Sequence, residues 1–147
     1  MRNPFLRSAE KGHAALETAL LLPWMVLSFM AVFDVGMYAY ALVSTESAAR
    51  VVAMYASASQ AVAQNPTNAC SYALAELRYA LNVGSGVTTC SAGGPVQVST
   101  SYVASGADGL PAAQVSVTYT SSPLIPVPGM MAGSVAITRT VQLPIRG

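Results

Sequence analysis

The sequence predicts an α+β fold: a long N-terminal helix whose first half crosses a membrane, a short second helix, and a small antiparallel β-sheet. Three observations predict it. No charge occurs from Thr18 to Phe33. No Gly falls between Gly12 and Gly36, and Pro23 is the only Pro after Pro4 until Asn65-Pro66. Toward the C-terminus, three apolar sets recur with a period of two.

The chain has 147 residues, of which 53% are hydrophobic and 9% charged. That is too apolar for a disordered chain and poor in charge for a freely soluble one. The net charge is +1. Its cations are scattered after Arg2, Arg7 and Lys11, so the sequence argues against a nucleic-acid partner.

Residues 1–12 are basic and polar and read as a leader rather than as folded structure. Residues 13–34 form the membrane half of the long helix. From His13 to Phe33 there are 21 residues, close to the ~20 that cross the hydrocarbon layer. Three cations precede the run and none follows until Arg50. The positive-inside rule then places the N-terminus in the cytoplasm and the rest outside, as in a single-pass protein of the bacterial inner membrane. A cleaved secretory signal is the alternative, with "AYA" at 39–41 as a small-residue site. The apolar run is longer than the usual ~7–15 residues and contains Glu17 and Pro23, which favours a retained anchor.

Residues 35–64 form the second, amphipathic half of the helix. It is expected to run from His13 to Gln64, 52 residues or ~78 Å if unbroken. Pro23 should kink it or loosen one turn, which a membrane helix tolerates. Ala48, Val51, Val52, Tyr55, Ala58 and Val62 make an apolar stripe. Glu46, Arg50, Ser57, Gln60 and Gln64 lie opposite, with Glu46 and Arg50 as an i, i+4 pair. This half should pack on a globular domain.

Residues 65–147 are expected to form an exported α+β domain. Pro66-Thr67-Asn68 stops one helix and caps the next. Over residues 69–81, Cys70, Leu74, Leu77 and Leu81 share a side. Gly84, Gly86, Gly93 and Gly94 mark a loop around Cys90. The strand sets are Val96/Val98/Thr100/Tyr102, Val115/Val117/Tyr119 and Val135/Ile137/Val141/Leu143. Arg139 interrupts the last and marks a bulge, an edge or a salt bridge. The 123–129 segment is too rich in Pro for a central strand and reads as a loop packed on its domain, with a polyproline ligand as the alternative.

Cys70 and Cys90 are the only cysteines. An oxidising compartment favours their pairing as a disulfide, contributing roughly 3 kcal/mol; two buried free thiols are the alternative. A metal pair is disfavoured, because the sole His, His13, lies across the span. The same separation leaves no base for a nucleophile outside. Glu46, Glu76 and Asp108 fall in three elements, and Asp108 before Gly109 is turn chemistry. The sequence therefore predicts neither an enzyme nor a cofactor.

Glu17 is the residue in the apolar run that asks for a reason. It either snorkels to the interface or serves as a paired charge. A cut between Gly12 and His13 would create an α-amino group about one helical turn away. The carboxylate of one subunit would then meet the terminal amine of a neighbour, turning a costly charge into a register device.

A basic leader ending in Gly12, Glu17 five residues on and a long apolar helix resemble type IV pilin-like precursors. "GHAALETALLLPWMVLSFMAVFDVGMYAYALVSTESAARVVAMYA" is similar to the TadE-like subgroup, with its Pro in the apolar run and Ala48-Ala49-Arg50 in the Ala-rich helix. "VSVTYTSSPLIPVPG" resembles the family's C-terminal part. One departure is Thr18, where the family usually has an aromatic. The resemblance implies a non-enzymatic minor pilin or pseudopilin acting in assembly of a tight-adherence (Tad, or Flp) pilus. It implies a prepilin peptidase cutting between Gly12 and His13, with Glu17 as the assembly carboxylate. It also implies other Tad pilins, the assembly platform and the membrane as partners. A bitopic anchored binding or scaffold protein, neither cut nor polymerised, is the alternative.

Overall fold

A computed structural model describes residues 4–84, 86–121 and 133–146 of the chain. Three helices, α1 (Pro4–Ala56), α2 (Gln60–Ala63) and α3 (Pro66–Leu77), precede three strands, β1 (Val96–Val103), β2 (Ala112–Thr120) and β3 (Ala136–Pro144). This is the expected α+β architecture. The chain divides into two compact units, one up to Met37 and one from Tyr38 onward, and α1 contributes to both.

In the first unit, α1 is already helical at Pro4. Residues 4–12 are thus helix, where the sequence suggested an unfolded leader. A proline suits the first turn of a helix, whose N–H groups have no intrahelical acceptor. The residues that follow it, Leu6, Arg7, Ala9, Glu10 and Lys11 among them, are good helix formers. The helix continues through Pro23, which removes a single N–H donor from its ladder.

In the second unit, the sheet has the order β1-β2-β3, with both pairs antiparallel. One face carries Val96, Ala113, Val115, Val117, Tyr119 and Ile137, all buried. They join Ala48, Ala49, Val52, Ala53 and Ala56 of α1, and Ala69, Ala73 and Leu77 of α3, in one apolar cluster. The α1 contribution is nearly all alanine. Removing bulk lets the helix backbone approach the core closely, while Val52 and Leu77 supply volume; each such buried aliphatic side chain contributes roughly 1.5–3 kcal/mol. The other sheet face is polar. Across it, Thr118 and Thr138 hydroxyls pair at 2.9 Å, Thr140 donates to Ser116 at 3.2 Å and the Gln142 amide to Gln114 at 2.8 Å. Such cross-strand pairs hold register on a wet face.

The second half of α1 departs from expectation at its end. The helix stops at Ala56, and α2 starts anew at Gln60. Two serines cause the break. The Ser57 hydroxyl donates to the Met54 carbonyl at 2.9 Å, and the Ser59 hydroxyl caps α2 by accepting from the Val62 N–H at 3.3 Å. Serine side chains compete with the helical backbone in this way. Ser57, assigned to the polar face, is buried, while Ala58, assigned to the apolar stripe, is exposed. The Ser57 carbonyl accepts the Arg146 N–H at 3.0 Å, which ties the end of the chain to the end of α1. Ala48 and Val52 are buried as expected, and Val51, Tyr55 and Val62 are half-buried.

α3 begins at Pro66, which serves as a first-turn proline. Its buried face is Ala69, Ala73 and Leu77, with Ala80 just beyond; Leu81, expected inside, is 47% exposed because the helix has ended before it. The β1–β2 hairpin closes over the stretch that holds Asp108. Gly109 takes φ +75°, and the Gly106 N–H donates to the Leu110 carbonyl at 2.8 Å. Asp108 lies exposed in this turn. The 123–129 segment lies outside the described residues.

Arg139 stands opposite Val117 in an unbroken β2–β3 register, so it marks no bulge. β3 is an edge strand. The Arg139 Nε lies 3.8 Å from Glu46, whose other carboxylate oxygen accepts from Arg50 at 2.7 Å. Two of the three readings, edge and salt bridge, hold together. An inward-facing charge on an edge strand discourages pairing with other chains. As half-exposed ion pairs, these contacts contribute at most about 1 kcal/mol each.

Candidate functional site

The candidate site is the first stretch of α1. In a helix with no core to face, every side chain meets whatever surrounds the protein. Leu16, Leu20, Leu21, Leu22, Trp24, Met25 and Phe29 are all more than half exposed. This is an apolar surface that water does not favour: at roughly 25 cal/mol per Å² its hydration is a large standing cost. Over Ala15–Ala56 the helix is long and apolar enough to cross a membrane once.

Glu17 is an exposed residue near the start of this surface. Among the described side chains it makes no ion pair. Gly12 and His13 both lie inside α1, five and four residues before Glu17. The bond between them is thus in helical backbone, which Gly12 weakens locally, since a glycine in a helix interior is about 1 kcal/mol less favourable than alanine. Glu17 belongs to the first unit, and Glu46, Glu76 and Asp108 all belong to the second.

The second unit carries the disulfide. Cys70 on α3 and Cys90 in the loop before β1 are bonded, with Cα atoms 5.7 Å apart. The bridge fastens a loop that has few regular hydrogen bonds of its own to a helix with a buried face. Two aromatic contacts, neither signalled by spacing, flank α3. Tyr55 and Tyr72 rings approach to 4.6 Å, and the Arg78 guanidinium lies 4.5 Å from the Tyr79 ring centre.

A surface cleft of about 380 Å³ opens beside Asn82, Gly94, Thr120 and Ser121. The Asn82 amide donates to the Thr120 carbonyl there at 2.6 Å. No titratable side chain is among the cleft's described lining residues. Nearby, burial raises the Tyr119 phenol above its ordinary value, and backbone hydrogen bonding at Asn82 and Leu81 offsets part of the rise.

A residue the sequence reading passed over is Asp34. It sits half-buried on α1 where the uncharged run ends. Its signal in the sequence is its place as the first charge after Phe33.

Compared with known families, residues 12–54 match the family model described as TadE-like protein. The match opens at Gly12, takes in Glu17 and Pro23, and closes two residues before the end of α1. No curated protein and no solved structure matched the chain. The segment 12–54 is TadE-like, in agreement with the resemblance of its Gly, Glu and Ala-Ala-Arg positions.

Proposed function

We propose that this protein is a non-enzymatic minor pilin or pseudopilin that takes part in assembling a Tad-type pilus. The observation that carries the reading is the TadE-like match over 12–54, on a helix whose large apolar side chains face outward. That surface suits two environments, lipid and a bundle of like helices, and a pilin subunit passes from one to the other. A prepilin peptidase cuts between Gly12 and His13. The new α-amino group of one subunit then pairs with Glu17 of a neighbour and sets the axial register. The other Tad pilins and the assembly platform are the partners. The first 12 residues stay on the cytoplasmic side, and the disulfide-bonded unit faces the oxidising side, where such bonds persist.

The test is the N-terminus of the protein recovered from membranes, by intact mass. A chain that starts at His13 is expected, with a longer precursor accumulating in Gly12→Leu and loss of assembly in Glu17→Gln. A chain that keeps residues 1–12 overturns processing. It then favours a bitopic anchored scaffold, for which Glu17→Gln is harmless.

A further inference from the structure

Glu17 and Asp34 bracket the apolar segment of α1, and the distance between them has a consequence for the lipid. Both lie in the first unit on one continuous helix. The 16 residues between them, Thr18 to Phe33, carry no charge. At about 1.5 Å of rise per residue, the Cα positions of Glu17 and Asp34 are about 26 Å apart along the axis. An ordinary hydrocarbon layer is about 30 Å thick, and any tilt of the helix shortens its reach further. The two carboxylates therefore reach both surfaces of an ordinary bilayer only by stretching outward along the axis or by thinning the lipid around the helix.

Asp34 alone creates this shortfall. Residues 35–45 are again uncharged and largely apolar, and the next ionisable acid is Glu46. Without Asp34 the uncharged stretch of the first unit would run from Thr18 to Met37, 20 residues or roughly 30 Å, the thickness of an ordinary bilayer; Tyr38, Ala41 and Leu42 beyond it belong to the packed core of the second unit. Tyr38 and Tyr40 follow Asp34 within two turns, and tyrosines concentrate at membrane surfaces. Tyr38 and Tyr40 lie about 6 and 9 Å beyond Asp34 along the axis, at headgroup depth when Asp34 stands at the edge of the hydrocarbon.

We propose that Asp34 sets the outer boundary of the span, and that with Glu17 it fits the protein to a thin bilayer, about 26 Å of hydrocarbon. In thicker lipid the helix thins its surroundings or leaves them. This inference rests on the membrane-spanning reading above, and deepens it by naming the kind of lipid surface the helix takes.

The full-length protein should be reconstituted into phosphatidylcholine vesicles with acyl chains from about 14 to about 22 carbons, a range of thickness that brackets the predicted fit. Trp24, the only tryptophan, lies between the two carboxylates and reports insertion through quenching by brominated lipid. Carbonate-resistant incorporation gives the yield. The wild type should insert best in the short-chain vesicles and roughly ten-fold less in the longest, given the modest cost of each ångström of mismatch. Asp34→Leu should move the optimum to chains of ordinary length, and Asp34→Asn part of the way. A wild type with no thickness preference, or an Asp34→Leu variant with the wild-type optimum, overturns the proposal. If Trp24 stays unquenched and the protein stays extractable at every thickness, the membrane-spanning reading fails and the proposal falls with it.

Discussion

One helix, α1, serves two environments, and its side chains change accordingly. Up to Met37 its large apolar residues point outward: Trp24 is 68% and Met25 72% exposed. From Tyr38 on, the apolar side chains that face the core are small: Ala48, Ala49, Ala53 and Ala56 are wholly buried, with Val52 the largest of the set. The first stretch solves a solvent problem, because bulk on the outside matches lipid or neighbouring helices. The second solves a packing problem, because small residues let a helix lie close on a sheet. Hydrophobicity alone does not distinguish the two; size and direction do.

The sharpest way to test this contrast is truncation in each region. Leu77→Ala removes a fully buried side chain from the core around the second stretch and should cost about 2–5 kcal/mol of unfolding free energy. Leu21→Ala removes an exposed one and should leave the denaturation midpoint of the second unit unchanged, while weakening partition into membranes. Denaturant titration in detergent, followed by near-UV circular dichroism, reads the first effect. Equal losses from both substitutions would mean that the outward face is packed after all.

Opening the disulfide is the next largest perturbation. Cys90→Ser frees the loop before β1 from α3, and should cost about 3 kcal/mol, the chain-entropy value for a loop of 20 residues. The loss should be confined to the second unit. A variant as stable as wild type would show that the loop is held by its other contacts.

A smaller effect separates the units by pH. Burial raises the Tyr119 phenol, so the folded state holds its proton more tightly than the unfolded state. Its contribution is therefore complete below the unfolded value near pH 10 and is lost as pH rises through the folded value. Alkaline titration should destabilise the wild type above about pH 10, and Tyr119→Phe should make that fall shallower. An identical alkaline slope in both proteins would assign the loss to other tyrosines.

Much of this molecule was legible in its residues. The uncharged run and the period-2 strand sets each carry their meaning locally, since a charge or an alternation acts within a few residues of itself. Cys70 and Cys90 needed only their compartment to be read as a pair, and the structure bonds them. The end of α1 was harder. Ser57 and Ser59 look like ordinary polar-face residues until the Arg146 N–H arrives at the Ser57 carbonyl, nearly ninety residues later in the chain.

The sequence by itself determined the fold class, the candidate membrane helix and the family of its N-terminal part, because periodicity, charge and length report on one element at a time. Only the tertiary structure decided which alanines face the core, why the long helix breaks at Ser57, and that Arg139 meets Glu46 across the edge of the sheet. Those outcomes depend on pairs of groups distant along the chain. Whether a side chain is buried or paired is a property of the surface that folds against it.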